Sequence, residues 1–268
     1  MEIINYKDIN LSSMKSAIIQ GTKSSVYIND NECYKILDGL YNDEKKQLLK
    51  KFYDMDGIDI ENILFPKKII LDNEMLVGYT MDYFPQSINL NDYFTKDRFI
   101  DNNDIFVATK KVSKILRKAH ENRIILQDFS FDNILIDDNK NIKICDIDGC
   151  FYNEIKGPCI SMIMHHYCNI FPDDYFILNE NFDNQSLLLS MLFSIYHNMI
   201  FSMEDYDTLS DKINALKSIR TIVSSLLKNS KTKVPYLDEI INDNDHFIID
   251  RNKQVSFKKR LIRDYSIY

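Results

Sequence analysis

Residues 120–149 read HENRIILQDFSFDNILIDDNKNIKICDIDG. Within this stretch, the apolar runs ILI and IKI flank DDNKN, a polar segment with the composition of a hairpin turn. Asp128 and Asn133 precede the first run, and Asp146 follows the second. The stretch therefore predicts a β-hairpin that carries two carboxylates and one amide at its mouth.

Oxygen ligands of this kind bind hard cations such as Mg²⁺, and a carboxylate that is not a ligand can accept a proton. The spacing D-x₄-N is a weak signal by itself, because the chain is rich in Asp and Asn. For each residue taken alone, a solvated turn side chain is the alternative interpretation. The functional signal is therefore the whole arrangement rather than any single residue.

The sequence on either side of this stretch predicts an α+β fold. Before residue 85, four short runs rich in β-branched and aromatic residues read as strands: SSVYI, CYKIL, KKIIL and MLVGYTMDYF. Between the second and third runs, every fourth residue from Leu40 to Phe52 lies on one face of a predicted helix. Its lysines are expected on the solvated face, namely Lys45, Lys46, Lys50 and Lys51. Beyond residue 101 the pattern is mainly helical.

Charge and hydropathy exclude two classes of protein. The 268 residues carry a net charge of −7, whereas binding to nucleic acid needs a basic surface. The first residues lack the pattern of a signal peptide, and the longest apolar run, 187–201, is too short and too polar to cross a bilayer. We therefore expect that the protein binds neither nucleic acid nor membranes.

The five cysteines include no CxxC pair, which argues against a disulfide framework and predicts a reducing, cytoplasmic location. Four residues within one short segment are candidate zinc ligands: Cys159, His165, His166 and Cys168. Their spacing fits no common zinc motif, and buried thiols beside surface histidines are the alternative interpretation.

The order D-x₄-N, strand, turn, strand, D-x-[DG] is similar to that of the catalytic and metal-binding loops of protein kinases. Lys35 in the triplet CYK matches the A-x-K of the third kinase strand. Gly21 and Val26 match the middle glycine and the valine of G-x-G-x-x-G-x-V. His120 and Asp183 match the histidine before the catalytic loop and the aspartate that braces this loop from beneath. The chain thus resembles the protein kinase-like superfamily over most of its length.

The resemblance implies a bilobal kinase-like domain over residues 1–268. A small antiparallel β-rich lobe with one helix would extend to about residue 84, and a larger, mainly helical lobe would follow. ATP would bind with Mg²⁺, or with Mn²⁺ in its place. The implied catalytic and metal-binding residues are Asp128 as the proton acceptor, Lys35 on the phosphates with Glu44 as its ion-pair partner, and Asn133 and Asp146 on the metal, with Asp148 as an additional carboxylate. The implied nucleotide contacts are Gly21, Val26, Cys33, Lys35, Met81, Asp82, Phe84 and Leu135.

The sequence also departs from the family pattern. The H-R-D triplet reads Leu126-Gln127-Asp128, which removes the arginine that docks a phosphorylated activation loop. We therefore expect activity that this phosphorylation does not gate. D-F-G reads Asp146-Ile147-Asp148, and the two outer glycines of the phosphate loop are missing.

The first hypothesis is an ATP- and Mg²⁺-dependent phosphotransferase, a protein kinase of the Ser/Thr type. Ser130, which replaces a lysine that contacts the γ-phosphate in such kinases, favours an alternative. This alternative is an enzyme of the same fold that phosphorylates a small molecule or another non-protein hydroxyl. The missing glycines favour a third hypothesis, a nucleotide-binding pseudokinase that acts as an interaction module.

Overall fold

The computed structural model describes residues 1–16, 24–96, 102–159, 161, 164, 178–202 and 236–240. Four residues singled out above lie outside these ranges: Gly21, His165, His166 and Cys168. The four cysteines within the described ranges are free thiols. None of the described helices combines the length and the apolarity that a bilayer crossing requires.

The first sheet has six strands in the spatial order β1-β5-β6-β4-β3-β2. The strand bounds are Glu2–Asn5 (β1), Lys15–Ser16 (β2), Ser25–Asn29 (β3), Glu32–Ile36 (β4), Lys68–Asp72 (β5) and Met75–Asp82 (β6). Strands β3 to β6 are the four predicted from the sequence, and they pair antiparallel. Val26 lies opposite Lys35, and Cys33 lies opposite Met81. The sheet therefore brings several of the predicted nucleotide contacts side by side.

One pairing corrects the prediction of a wholly antiparallel sheet. Strand β1 runs parallel to β5, with Ile3 opposite Ile69 and Ile4 opposite Ile70. Parallel neighbours need a long connection, and the chain between these two strands supplies one that contains β2, β3, β4 and a helix. Only two isoleucines signal β1 in the sequence, so its pairing depends on the finished sheet edge.

Helix α1 spans Asn42–Asp54 and packs on this sheet through one apolar face. Leu48 and Phe52 are buried on that face, and the Phe52 ring meets a tyrosine ring of β6 edge-on at 5.1 Å between centroids. Glu44 lies in the first turn, where its carboxylate accepts the backbone N–H of Tyr41 at 2.8 Å. Glu44 therefore acts as an N-terminal cap of its own helix.

The rest of the described chain combines helices with a three-stranded sheet in the order β7-β8-β9. The bounds are Ser87–Asn89 (β7), Leu90–Lys96 (α2), Asn102–Glu121 (α3), Ile134–Asp137 (β8), Ile142–Ile144 (β9), Glu180–Ser202 (α4) and Leu237–Ile240 (α5). Strands β8 and β9 form the predicted hairpin, with Ile134 opposite Ile144. Helix α3 packs against both α4 and α5. The fold is α+β, as the sequence predicts.

Two groups of buried apolar side chains stabilise these two parts. The first lies between the six-stranded sheet and α1 and includes Cys33 and Phe52. The second includes Leu116 of α3 and Leu188 of α4. Leu135 of the hairpin packs against the first group although neighbouring hairpin residues belong to the second. The hairpin therefore lies where the two groups approach each other.

Candidate functional site

A fully buried carboxylate supports the predicted catalytic loop, residues 126–133. Asp183 of α4 accepts the backbone N–H of Leu126 at 2.6 Å and that of Gln127 at 3.1 Å. The ring of His120, at the end of α3, lies 2.9 Å from the same carboxylate and 2.7 Å from the hydroxyl of Tyr236. Asp183 therefore braces the loop from beneath, as the sequence predicts.

Asp128 and Asn133 are joined within this loop. The side-chain amide of Asn133 donates to the backbone carbonyl of Asp128 at 2.6 Å. The carbonyl of Asn133 in turn accepts the backbone N–H of Cys145 at 3.0 Å, which ties the loop to the end of β9. The two segments that the sequence places at the mouth of the hairpin are therefore held together.

The environment of Asp128 raises the pKa of its carboxyl group to about 6. Burial is the largest cause, because it penalises the charged form. The negative charges of Asp146 and Asp148 add to the effect, while Lys35 opposes it. A carboxylate with a pKa near 6 is suited to accept a proton close to neutral pH.

Lys35 brings the first sheet to this loop. Its side chain is 6% exposed, and its ammonium nitrogen lies 3.0 Å from Asp146 Oδ1 and 2.9 Å from Asp148 Oδ1. Burial by itself lowers the pKa of Lys35, but the attraction of Asp148 and the other acidic groups outweighs it and holds the pKa well above its usual value. Lys35 is therefore a positive charge at the centre of the site.

The structure does not show the ion pair predicted between Lys35 and Glu44. Within the part of the chain that the structure describes, Lys35 forms ion pairs with Asp146 and Asp148 only. Glu44 caps α1 instead. Asp148 is thus an ion-pair partner of Lys35, a role that the kinase pattern gives to a glutamate of the helix.

Asp148, the predicted additional metal ligand, is enclosed and hydrogen-bonded to two neighbouring side chains. Its Oδ1 accepts the hydroxyl of Tyr79 at 2.6 Å besides the Lys35 ammonium, and its residue is 6% exposed. Burial raises the pKa of Asp148, but Lys35 and the hydrogen bond from Tyr79 outweigh it and hold the pKa below its usual value. Asp148 is an internal counter-ion.

Lys51 of α1 corrects a second prediction, because it is fully buried rather than solvated. Its ammonium group donates to the backbone carbonyl of Asp148 at 2.7 Å and to that of Cys150 at 2.6 Å. Burial lowers its pKa. The sequence contains the signal for this position, since Lys51 follows Leu48 by three residues and precedes Phe52, both on the buried face. Lys51, Tyr79, Lys35, Asp146 and Asp148 together are called the Lys35 cluster below.

Asp146 itself has a left-handed backbone conformation, with φ 61° and ψ 40°. Few residues other than glycine adopt it, and such positions concentrate at functional sites. The Asp146 side chain is 38% exposed, in contrast to the enclosed Asp148. Asp146 is therefore the carboxylate of this pair that a ligand can reach.

The predicted adenine contacts fall in one region. Cys33 and Met81 belong to the apolar group of the first sheet, and Val26 and Leu135 pack against it. The carbonyl of Phe84 accepts the hydroxyl of a nearby serine, and the Asp82 side chain forms a surface ion pair with a lysine. Asp82 is the last residue of β6, and Phe84 follows it by two residues.

A small cavity lies between the two parts of the fold. Its volume is about 90 Å³, and the charged residues that line it are Lys35, Asp128, Asp146 and Asp148. Pro158 and Cys159 also line it; the sequence offers Cys159 only as a candidate zinc ligand and does not single out Pro158. Among the residues that the structure describes, no three histidine, cysteine or carboxylate side chains form a ready-made metal site.

Comparison with known proteins assigns no family. A scan of protein-family models found no match, and a search of curated proteins found none.

Proposed function

We propose that this protein is an ATP- and Mg²⁺-dependent phosphotransferase of the Ser/Thr protein kinase type. The observation that carries the proposal is the convergence of Lys35, Asp128 and Asp146 on one cavity. These residues come from β4, from the catalytic loop and from the end of the hairpin. Four further features accompany them: the Asp183 brace, His120, the Asn133 contact and the apolar group beside the cavity.

Each of these side chains has a role in the proposed reaction. Lys35 binds phosphate oxygens, because it presents a permanent positive charge in a site with little competing water. Asp128 orients the attacking hydroxyl and accepts its proton, which its raised pKa permits. Phosphoryl transfer depends mainly on positioning and charge stabilisation, so this small set of residues suffices.

The donor set fits Mg²⁺ bound together with a nucleotide. Mg²⁺ keeps several waters and takes only one or two carboxylates when phosphates share it. Asp146 offers an exposed carboxylate, and Asn133 offers an amide oxygen whose partner nitrogen is held by the Asp128 carbonyl. The bound ion would neutralise charge on the phosphates.

We also infer the bilobal arrangement of this superfamily. The six-stranded sheet with α1 would be the small lobe, and the helices with the hairpin would be the large lobe. Two apolar groups, one for each part, support this division. The cavity with Lys35 on one side and Asp128 on the other supports a cleft between the lobes.

Ser130 favours a second candidate, the phosphorylation of a small molecule. Its hydroxyl accepts the backbone N–H of Asp132 and caps the short 3₁₀ helix Phe131–Asn133. A neutral cap therefore stands where Ser/Thr kinases have a cation near the transferred phosphate. This leaves the acceptor side of the site open to hydroxyl compounds other than a peptide.

The test is intact-mass spectrometry of the full chain after incubation with Mg-ATP. We expect mass gained in phosphate units, its loss in Asp128→Asn, and its retention in the matched control Asp132→Asn, whose exposed side chain lies in the same loop. If wild type gains no mass, a screen for Mg²⁺-dependent ATP turnover with small hydroxyl acceptors distinguishes the second candidate from a pseudokinase. Wild-type transfer by Asp128→Asn would contradict the proposed mechanism.

A further inference from the structure

Gln127 stands where the family pattern has an arginine, and it is 2% exposed. Its side-chain amide donates to the carbonyls of Gly157 and Cys159, at 3.2 and 2.5 Å. Its side-chain oxygen accepts the backbone N–H of Gly157 at 3.2 Å. The amide side chain of Gln127 thus bonds to the backbone of a segment thirty residues away in sequence.

The same segment has other contacts with the catalytic loop. Ser161 is fully buried, its N–H donates to the Gln127 carbonyl at 3.0 Å, and its hydroxyl donates to the Phe129 carbonyl at 2.6 Å. Gly157 lies against Gly149 so closely that a Cβ at Gly157 would be 1.9 Å from the Gly149 carbonyl oxygen. Gly157 therefore has to be a glycine for this approach.

The segment also forms part of the candidate site. Gln127 bonds to the backbone of Gly157 and Cys159. Cys159 and its neighbour Pro158 line the same cavity as Lys35 and Asp128. Gln127 itself has a left-handed backbone with φ 52°, a conformation that costs free energy for a residue with a side chain. Asp128 follows directly, so the same turn orients both side chains.

We propose that Gln127 is a positioning residue that clamps the Gly157–Cys159 backbone against the catalytic loop and so fixes the cavity wall beside Asp128 without phosphorylation. This inference rests on the proposed function for its effect on the reaction. The acceptor hydroxyl would approach Asp128 along this wall.

The chemistry of the side chain explains why glutamine suits this place. A neutral amide offers both donors and an acceptor, and the segment presents two carbonyls and one N–H to it. An arginine would leave the Gly157 N–H without an acceptor and would bury a charge that needs an anion such as a phosphate. The clamp uses an amide and backbone groups alone.

The test compares wild type with Gln127→Met, which keeps the length of the side chain and removes its hydrogen bonds. Amide hydrogen exchange is followed by mass spectrometry in peptides that contain Gly157, with peptides from β5 and β6 as the internal control. We expect about tenfold faster exchange around Gly157 in Gln127→Met. A change of this size corresponds to the loss of roughly one hydrogen bond. Exchange in β5 and β6 should not change.

Two further samples complete the design. Gly157→Ala would bring a Cβ against the Gly149 carbonyl and so displace the same backbone from the loop. It should produce the same local increase, which keeps the proposal testable if Gln127→Met does not fold. Phosphatase-treated wild type should keep the protection of Gly157. Unchanged exchange in the folded variants, or protection that the phosphatase abolishes, would overturn the proposal.

Kinetics then separate this inference from the proposed function. With Mg-ATP and whichever acceptor wild type phosphorylates, including itself, Gln127→Met should lower kcat about tenfold or more and leave the KM for ATP unchanged, because the acceptor wall is displaced while Lys35 is not. A wild type without phosphoryl transfer would refute the proposed function, whereas unchanged exchange in the variants would refute the clamp alone.

Discussion

The catalytic loop and the Lys35 cluster both contain buried charges, but different groups stabilise them. Asp183, beneath the loop, is held by two backbone N–H groups and by His120. Lys35 instead faces two carboxylates, one of which also accepts a tyrosine hydroxyl. The partners of Asp183 are mostly backbone groups, whereas the partners of Lys35 are side chains.

This difference explains which predictions hold. Every residue except proline has a backbone N–H group. Asp183 therefore finds donors as soon as the loop lies next to α4, whatever the side chains of the loop are. Lys35, in contrast, could pair with carboxylates from several elements. The spacing in the sequence does not indicate whether Asp148 or Glu44 is its partner. The comparison indicates that backbone groups fix the partners of Asp183, whereas the partners of Lys35 depend on which carboxylates the packing brings nearest.

The largest expected effect comes from removing the brace. Asp183→Ala should lower the free energy of unfolding by about 4 kcal/mol, because two buried N–H groups and His120 lose their acceptor. Urea unfolding followed by circular dichroism measures the change. Asp132→Ala, an exposed carboxylate, is the control and should change the value by less than about 0.5 kcal/mol. Similar losses in both variants would mean that the brace contributes little.

The second prediction compares the two carboxylates that compete for Lys35. Asp148→Asn should lower the free energy of unfolding by about 3 kcal/mol, because it leaves a buried lysine with one carboxylate instead of two. Glu44→Gln should cost less than about 1 kcal/mol, the value of a helix cap. Denaturant titrations of the two variants in parallel decide the matter. A larger loss for Glu44→Gln would indicate that Lys35 pairs with Glu44, as in the kinase pattern, and would contradict the structure.

The third prediction concerns the pH dependence of the proposed reaction. Asp128 accepts a proton only as the carboxylate, and its pKa is about 6. The transfer rate should therefore be near its plateau above pH 7 and should fall about tenfold for each pH unit below 6. A pH profile of kcat with saturating Mg-ATP measures this acidic limb. A limb centred near pH 4 would show that burial and the neighbouring carboxylates do not raise the pKa of Asp128.

The smallest effect is a gain in stability. The folded pKa of Asp128, about 6, lies above its ordinary value of 3.8, so the native state binds more protons than the unfolded state between these limits. Stability attributable to Asp128 is therefore present at low pH and is lost as the pH rises from about 4 to 6. Asp128→Asn removes this penalty and should raise the free energy of unfolding at pH 7 by about 1 kcal/mol, less than the full linkage value of the pKa difference, because the buried amide must also be desolvated. The same denaturant titration at pH 4.5 should show a smaller gain, and a loss of stability at pH 7 would contradict the assigned environment.

Much of the local structure is predictable from the sequence. Strands β3 to β6, the hairpin of β8 and β9, and helix α1 all follow from hydrophobic periodicity and turn composition. The contact between Asp183 and the catalytic loop follows from the order of the motifs. These features depend on residues close in sequence, or on a pattern whose elements occur in a set order.

The partners within the Lys35 cluster are not predictable in this way. Lys51 and Asp148 are far apart in sequence, and their contact requires that α1 lie against the segment after the hairpin. Glu44 and Asp148 carry the same charge, so composition does not choose between them. The choice depends on how α1 is placed on the sheet, and packing of Leu48 and Phe52 sets that placement.

The sequence by itself determined the α+β class, the hairpin and the carboxylates at its mouth, because short-range patterns of apolar and polar residues encode them. The tertiary structure decided three further matters: the parallel pairing of β1, the burial of Lys51 and the counter-ion of Lys35. The physical reason is the same for all three. Each depends on the relative placement of elements far apart in the chain, where burial of apolar area sets the geometry and buried charges then pair with the nearest available group.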